Sequence, residues 1–172
     1  MSAAKAARTE QTLYLIRHAD AGDPSEWIGP DAERPLSGKG VKQAARLAAT
    51  MLSAGTRLDV IRHSPARRCA ETATVLSAVL EVDTVADERL IDGPPLAQLA
   101  RMFDQKDASR LALVGHEPNL SRLLTELTGL SGIVVEKGAL IRIDLPNGVS
   151  AGGGRLVTVA PPSLFRAPKE ER

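Results

Sequence analysis

Apolar residues in this chain fall into short runs of β-formers that alternate with segments of helical spacing. Thr12–Ile16 is a brief apolar run expected to form a buried strand. Val41, Ala44, Ala45, Ala48, Met51 and Leu52 recur at helical spacing, so the pattern predicts a helix over 41–52 behind Ser37-Gly-Lys-Gly. Leu58–Ile61 reads as a second strand. Ser64-Pro65 then opens a helix, with Ser64 as the expected cap and Cys69, Ala73, Leu76 and Leu80 along one face. A short strand is expected at Val82–Ala86, a helix at Leu96–Phe103, a strand at Arg110–Val114 and a helix at Asn119–Leu127 ended by Thr128-Gly129. Ala139–Leu145 alternates Leu140, Arg142 and Asp144 against Ile141, Ile143 and Leu145, the signature of a strand with one wet face. After the turn signal Pro146-Asn147-Gly148, Arg155–Ala160 is a final strand that can close a hairpin.

The β-α-β-α order implies an α/β fold. The expected form is a three-layer α/β/α sandwich, with a mostly parallel sheet and an antiparallel part from the late hairpin. The chain has 172 residues, enough for one domain, expected over 11–162; flexible tails are expected at 1–10 and 163–172. Only 2% of residues are aromatic (Tyr14, Trp27, Phe103 and Phe165), so the core must be aliphatic. With 22 Lys and Arg against 21 Asp and Glu, the net charge is +1, which gives no electrostatic reason to expect a nucleic-acid or membrane-surface partner. No apolar stretch reaches the ~18–20 residues of a membrane span. Met1–Glu10 lacks the apolar core of a signal peptide. Cys69 stands alone, so neither an internal disulfide nor a Cys-based zinc site can form; a cytoplasmic location is expected.

The candidate chemistry sits where strands end. The first strand runs into Arg17-His18, the second into Arg62-His63-Ser64-Pro65-Ala66-Arg67-Arg68, and that at 110–114 into Gly115-His116. Ligands of open α/β sheets bind beyond the carboxyl ends of the strands, so these exits are expected to share one crevice. Arg67 and Arg68 in a first helical turn oppose the helix dipole, a conflict that a bound anion relieves. Planar guanidinium groups match phosphate oxygens. The plainer readings are surface pairs of Arg67 and Arg68 with Glu71, and core histidines at 18 and 116. His63 is read as a structural histidine and Arg62 as solvent-facing.

Four segments then resemble, in order, the motifs of the histidine phosphatase superfamily, the phosphoglycerate-mutase-like fold: Leu15-Ile16-Arg17-His18-Ala19-Asp20, Arg34-Pro35-Leu36-Ser37-Gly38-Lys39-Gly40, Ser64-Pro65-Ala66-Arg67-Arg68-Cys69-Ala70-Glu71-Thr72 and Val114-Gly115-His116-Glu117-Pro118. The short chain and Gly-His-Glu-Pro-Asn-Leu-Ser resemble in particular its small phosphohistidine phosphatases of the SixA type. The resemblance implies that His18 is the nucleophile and forms a phosphohistidine intermediate. It further implies that Arg17, Arg68 and His116 bind the phosphoryl oxygens as substrate-binding and catalytic groups, with no metal or cofactor. The second ring nitrogen of His18 is expected to donate to a backbone carbonyl. Ala19 departs from the Gly usual in the motif. For the proton donor, Leu90-Ile91-Asp92 is the nearest match to the family's Leu-x-Glu segment, which makes Asp92 the catalytic candidate and Glu88 the other; both can also be plain solvated carboxylates. Asp20 could orient a basic group or water, and Trp27 could contact substrate or simply pack locally.

The implied activity is hydrolysis of a phosphoryl group from a histidine of a partner protein, of the histidine phosphotransfer type. The alternatives are a phosphatase for small phosphate esters and a non-catalytic anion-binding domain on the same fold. A mutase would need a more enclosed pocket.

Overall fold

The computed structural model describes residues 10–105 and 108–165. Ten main elements follow the chain: β1 (Gln11–Arg17), α1 (Gly38–Ser53), β2 (Val60–His63), α2 (Arg67–Leu80), β3 (Thr84–Ala86), α3 (Leu96–Asp104), β4 (Arg110–Gly115), α4 (Asn119–Thr128), β5 (Leu140–Leu145) and β6 (Arg155–Ala160). The strands form one six-stranded sheet in the order β3-β2-β4-β1-β5-β6. β3, β2, β4 and β1 are mutually parallel, β5 pairs antiparallel with β1 and β6 antiparallel with β5, so the sheet is mixed in the way the alternation of elements implies.

Side chains alternate across β1 and so feed two cores. Leu13 and Leu15 join Leu99, Met102 and Phe103 of α3 and Leu120, Leu123, Leu124 and Leu127 of α4. Tyr14 and Ile16 join Leu47, Ala48 and Met51 of α1 and Cys69, Ala73 and Leu76 of α2 on the other face. Helices on both faces make three layers, held mainly by aliphatic burial at ~25 cal/mol per Å² of apolar surface. β5 keeps Ile141, Ile143 and Leu145 buried and its other face partly wet, as its alternation predicts. Among the described residues, no helix is long and apolar enough to cross a membrane.

Several expectations are corrected. α1 starts at Gly38, earlier than its apolar spacing suggests, because Ser37 caps it by accepting a hydrogen bond from Gly40 N–H at 3.0 Å. A Cβ on Gly40 would lie 1.9 Å from the carbonyl oxygen of Asp20, so only glycine lets α1 press against the loop that follows β1. α2 starts at Arg67, not Ser64, and has no side-chain cap. β2 starts at Val60, because the Asp59 side chain turns aside to accept from the backbone N–H groups of Ser109 and Arg110. Arg62 does not face solvent. It is buried, donating to Asp87 at 3.0 Å and to Gln105 Oε1 at 2.6 Å. The hydrogen-bonded Arg89 guanidinium, joined by Arg62, holds the Asp87 carboxyl below its usual range. The expected tails lie largely outside the described residues. At the C-terminal side, however, residues 162–164 form a helical turn, and Phe165 is buried in the core on the α1 and α2 face.

Candidate active site

Strand register brings the three exits together. Arg17 lies opposite Gly115 and His63 opposite Val114, so His18, Ser64 and His116 each leave the sheet at one level. His18 N–H donates to Gly115 O at 3.1 Å, and Ser64 N–H to Val114 O at 3.0 Å. The rings of His18 and His116 stand 5.5 Å apart, tilted by 59°. Together with Arg17, Arg68 and Ser64 they line a cavity of about 400 Å³. A second cavity of about 450 Å³ lies near the starts of β1 and β4, beside Thr12, Tyr14, Arg110 and Arg142; no histidine lines it, and its Arg110 and Arg142 are paired with Asp59 and Asp144.

His18 is held on both sides. Its Nδ1 lies 2.8 Å from Ala19 O and donates to it, which leaves Nε2 with the lone pair. The backbone after it is fixed by Ala19 N–H donating to Thr72 Oγ1 at 3.1 Å. Ala19 needs no left-handed backbone, since Glu81 is the only described non-glycine residue with positive φ; alanine therefore serves here without strain. Burial lowers the His18 pKa to about 4 against the opposing pull of the Ala19 carbonyl, and Arg68, His116 and Arg17 push the same way as burial. Burial and Arg68 also lower His116, against the field of Asp31. Both imidazoles are thus neutral near pH 7.

The guanidiniums are anchored at their tips. Arg17 Nη1 donates to Val135 O at 2.8 Å. Arg68 donates from Nη1 to Asp31 O at 2.8 Å and from Nη2 to Asp31 Oδ2 at 2.9 Å. In both arginines Nε is buried without a partner. The same holds for Arg62, which does not line the cavity, so the unpaired Nε is a cost of about 1–3 kcal/mol borne by buried arginines and not a mark of the site. His116 Nε2 and Ser64 Oγ share a hydrogen bond of 2.8 Å, with Cys69 Sγ at 3.6 Å from Nε2. Burial pushes the Cys69 thiol up to about 12, so it packs and does not react. Among the described residues, no group of three or more His, Cys, Asp or Glu is arranged as metal ligands.

Arg17, His18, Arg68 and His116 therefore meet, as their motifs imply. Arg67 does not join them and instead pairs with Glu71 at 2.7 Å on the helix surface. His63 is a satisfied buried histidine, its Nδ1 2.9 Å from Ser64 O. Asp92 is corrected. It is exposed and borders a separate small hollow with Asn119 and Arg122. Asn119 Nδ2 holds the Ile91 carbonyl at 2.9 Å, and it is Ile91 that lines the cavity. Glu88 is exposed and does not line it either. Asp20 binds Ser37 Oγ at 2.6 Å, and Trp27 Nε1 donates to Pro30 O at 3.1 Å, so both serve local structure. The carboxylates that do line the cavity are Asp31 and Glu117; Glu117 accepts from Ser121 N–H and Oγ–H. Glu117 could have been suspected from its place beside His116. Asp31, in a loop rich in Asp, Gly and Pro, carries no such signal.

A neutral imidazole with a free nitrogen, beside two guanidiniums, can attack an electrophile that bears anionic oxygens. The burial of His18 also has a pH consequence. Its pKa is about 4 folded and about 6.5 unfolded, so the unfolded chain binds more protons between these values. Stability should fall as pH drops from about 6.5 toward about 4, by up to about 3 kcal/mol from this group. Urea unfolding of the wild type and His18→Asn at pH 7.5 and 4.5 should show a smaller loss in the variant; equal losses would refute the assignment.

The family model of the histidine phosphatase superfamily (branch 1) matches residues 13–93. An uncharacterised protein of Picosynechococcus sp. is 34% identical over 113 residues, which cover 63% of this chain and 67% of that protein. A probable phosphoglycerate mutase, GpmB, of Proteus mirabilis is 30% identical over 116 residues, covering 62% of this chain and 51% of its own length. The structure of the protein histidine phosphatase SixA complexed with tungstate superimposes with a TM-score of 0.77 over 89% of this chain and 98% of that one; at 17% identity this is a likeness of fold.

Proposed function

The chain belongs to the histidine phosphatase superfamily, and from that premise we propose that it hydrolyses a phosphoryl group from a histidine of a partner protein, through a phosphohistidine on His18. The observation that carries this reading is the approach of the His18 and His116 rings to 5.5 Å in one cavity with Arg17 and Arg68.

His18 Nε2 attacks phosphorus, and the bond from phosphorus to the leaving nitrogen breaks. Arg17 and Arg68 offset the charge on the equatorial oxygens, and the neutral His116 ring can donate a hydrogen bond to one of them. Water then attacks the phosphoenzyme, releasing inorganic phosphate and free His18. An imidazole whose remote nitrogen carries a proton departs as a neutral ring, so a phosphohistidine substrate does not depend on a protein acid. That suits a cavity which neither Asp92 nor Glu88 lines. Hydrolysis of small phosphate esters is the second reading. Glu117 favours it, as a carboxyl group in the cavity wall that could protonate an alkoxide.

Turnover of a phosphohistidine-bearing phosphotransfer protein should exceed that of small esters such as 3-phosphoglycerate by at least about 100-fold in kcat/KM, a ratio worth ~3 kcal/mol. Comparable or faster ester turnover would support the second reading. No turnover of either would leave a non-catalytic anion-binding domain.

A further inference from the structure

We propose that Asp31 is a specificity-determining residue. It sets the charge accepted beside the phosphoryl group, favouring leaving groups that are neutral or cationic and opposing those that carry a second anion. This deepens the phosphatase reading and rests on it.

The loop between β1 and α1 places an aspartate in the cavity wall, and that aspartate is fixed at several points. Its Oδ2 accepts from Arg68 Nη2 at 2.9 Å, its carbonyl from Arg68 Nη1 at 2.8 Å and its Oδ1 from Arg34 Nε at 2.9 Å. Arg34 is itself buried, with Nη1 donating to Ala21 O at 2.8 Å and Gly22 O at 3.3 Å. The carboxylate is therefore anchored through Arg34 to the loop that follows His18. Its side chain nonetheless remains 60% exposed and borders the cavity, so its charge is presented to whatever enters. The flanking guanidiniums, Arg34 foremost, keep it ionised.

The charges lining the cavity then balance. Arg17 and Arg68 are the cations, and Asp31 and Glu117 the carboxylates. A phosphoryl group takes up both guanidiniums. A second anion on the substrate finds no further cation among the described lining residues and meets Asp31. An N-phosphorylated basic group meets attraction instead. Charges ~6–8 Å apart across a partly solvated cavity interact by enough to change binding about ten-fold.

The test uses matched aryl phosphates: phenyl phosphate, 4-carboxyphenyl phosphate and 4-(aminomethyl)phenyl phosphate. Each is assayed with the wild type, Asp31→Asn and Asp31→Ser, with thermal melts to confirm folding. Taking phenyl phosphate as the internal reference removes any common loss from a disturbed Arg68. Relative to it, kcat/KM for the carboxylated substrate should rise about ten-fold in both variants, and that for the aminomethyl substrate should fall, the change lying in KM. Raising ionic strength should shrink both differences in the wild type. Parallel changes on all three substrates would mean that Asp31 only positions Arg68, and would overturn this inference while leaving the phosphatase reading intact. A wild type inactive on every phosphoryl compound would overturn both.

Discussion

Replacing His18 with alanine is expected to lower phosphoryl hydrolysis by at least about 10⁴-fold while leaving a folded protein. The size of the effect follows from what the side chain contributes. Burial lowers its pKa to about 4, so at pH 7 nearly all molecules hold a neutral ring. The Ala19 carbonyl accepts a hydrogen bond from Nδ1–H at 2.8 Å, so the free lone pair is on Nε2. His116 is held in a different way, with its Nε2 engaged by Ser64 Oγ at 2.8 Å. The variant keeps Arg17, Arg68 and His116, so it should still bind inorganic phosphate, seen as a phosphate-dependent rise in melting temperature. Residual turnover above a few per cent would remove His18 from the mechanism.

The second large effect is expected at Arg68. Arg68→Ala should reduce kcat/KM by about 10³-fold, the scale of losing a preorganised charge-stabilising group. Arg68→Lys should recover little. A lysine is a single point charge and cannot hold both the carbonyl and the carboxylate of Asp31 in the forked geometry that Nη1 and Nη2 provide. Removing the guanidinium also leaves the Asp31 carboxylate facing the cavity with only Arg34 as its ion-pair partner. The double variant Arg68→Ala, Asp31→Asn should therefore be more active than Arg68→Ala alone. Steady-state kinetics on the phosphohistidine protein decide both points; a lysine variant within ten-fold of the wild type would contradict the two-pronged role.

The fold was legible because burial on both faces writes itself as short apolar runs. Leu13–Ile16 and Leu111–Val114 are fully or nearly fully covered, and α1 to α4 each carry an apolar stripe. Arg17, His18, Arg68 and His116 were legible too, since each follows a strand exit or opens a helix next to one. What escaped depends on contacts between distant residues. Arg62 looks like a surface residue until Asp87, 25 positions on, is found to pair with it in the interior. Asp31 meets Arg68 across 37 positions, and no local pattern marks that contact. Ser64 has the composition of a helix cap, yet its hydroxyl is bound to His116. Asp92 lies outside the cavity for the opposite reason. Its local sequence matches a motif, but a hydrogen bond from Asn119 to the Ile91 carbonyl accompanies a backbone that puts Ile91 in the cavity wall instead.

The central claim, that phosphorus is transferred to a histidine at the end of β1, is best tested by trapping it. The protein should be mixed with a phosphohistidine donor, quenched in alkali within milliseconds and digested for mass spectrometry. The account predicts a phosphoryl group on the peptide containing His18, stable to alkali, lost in acid and absent from His18→Ala. Catalytic turnover with no such adduct, or with the phosphoryl group on His116, would contradict it.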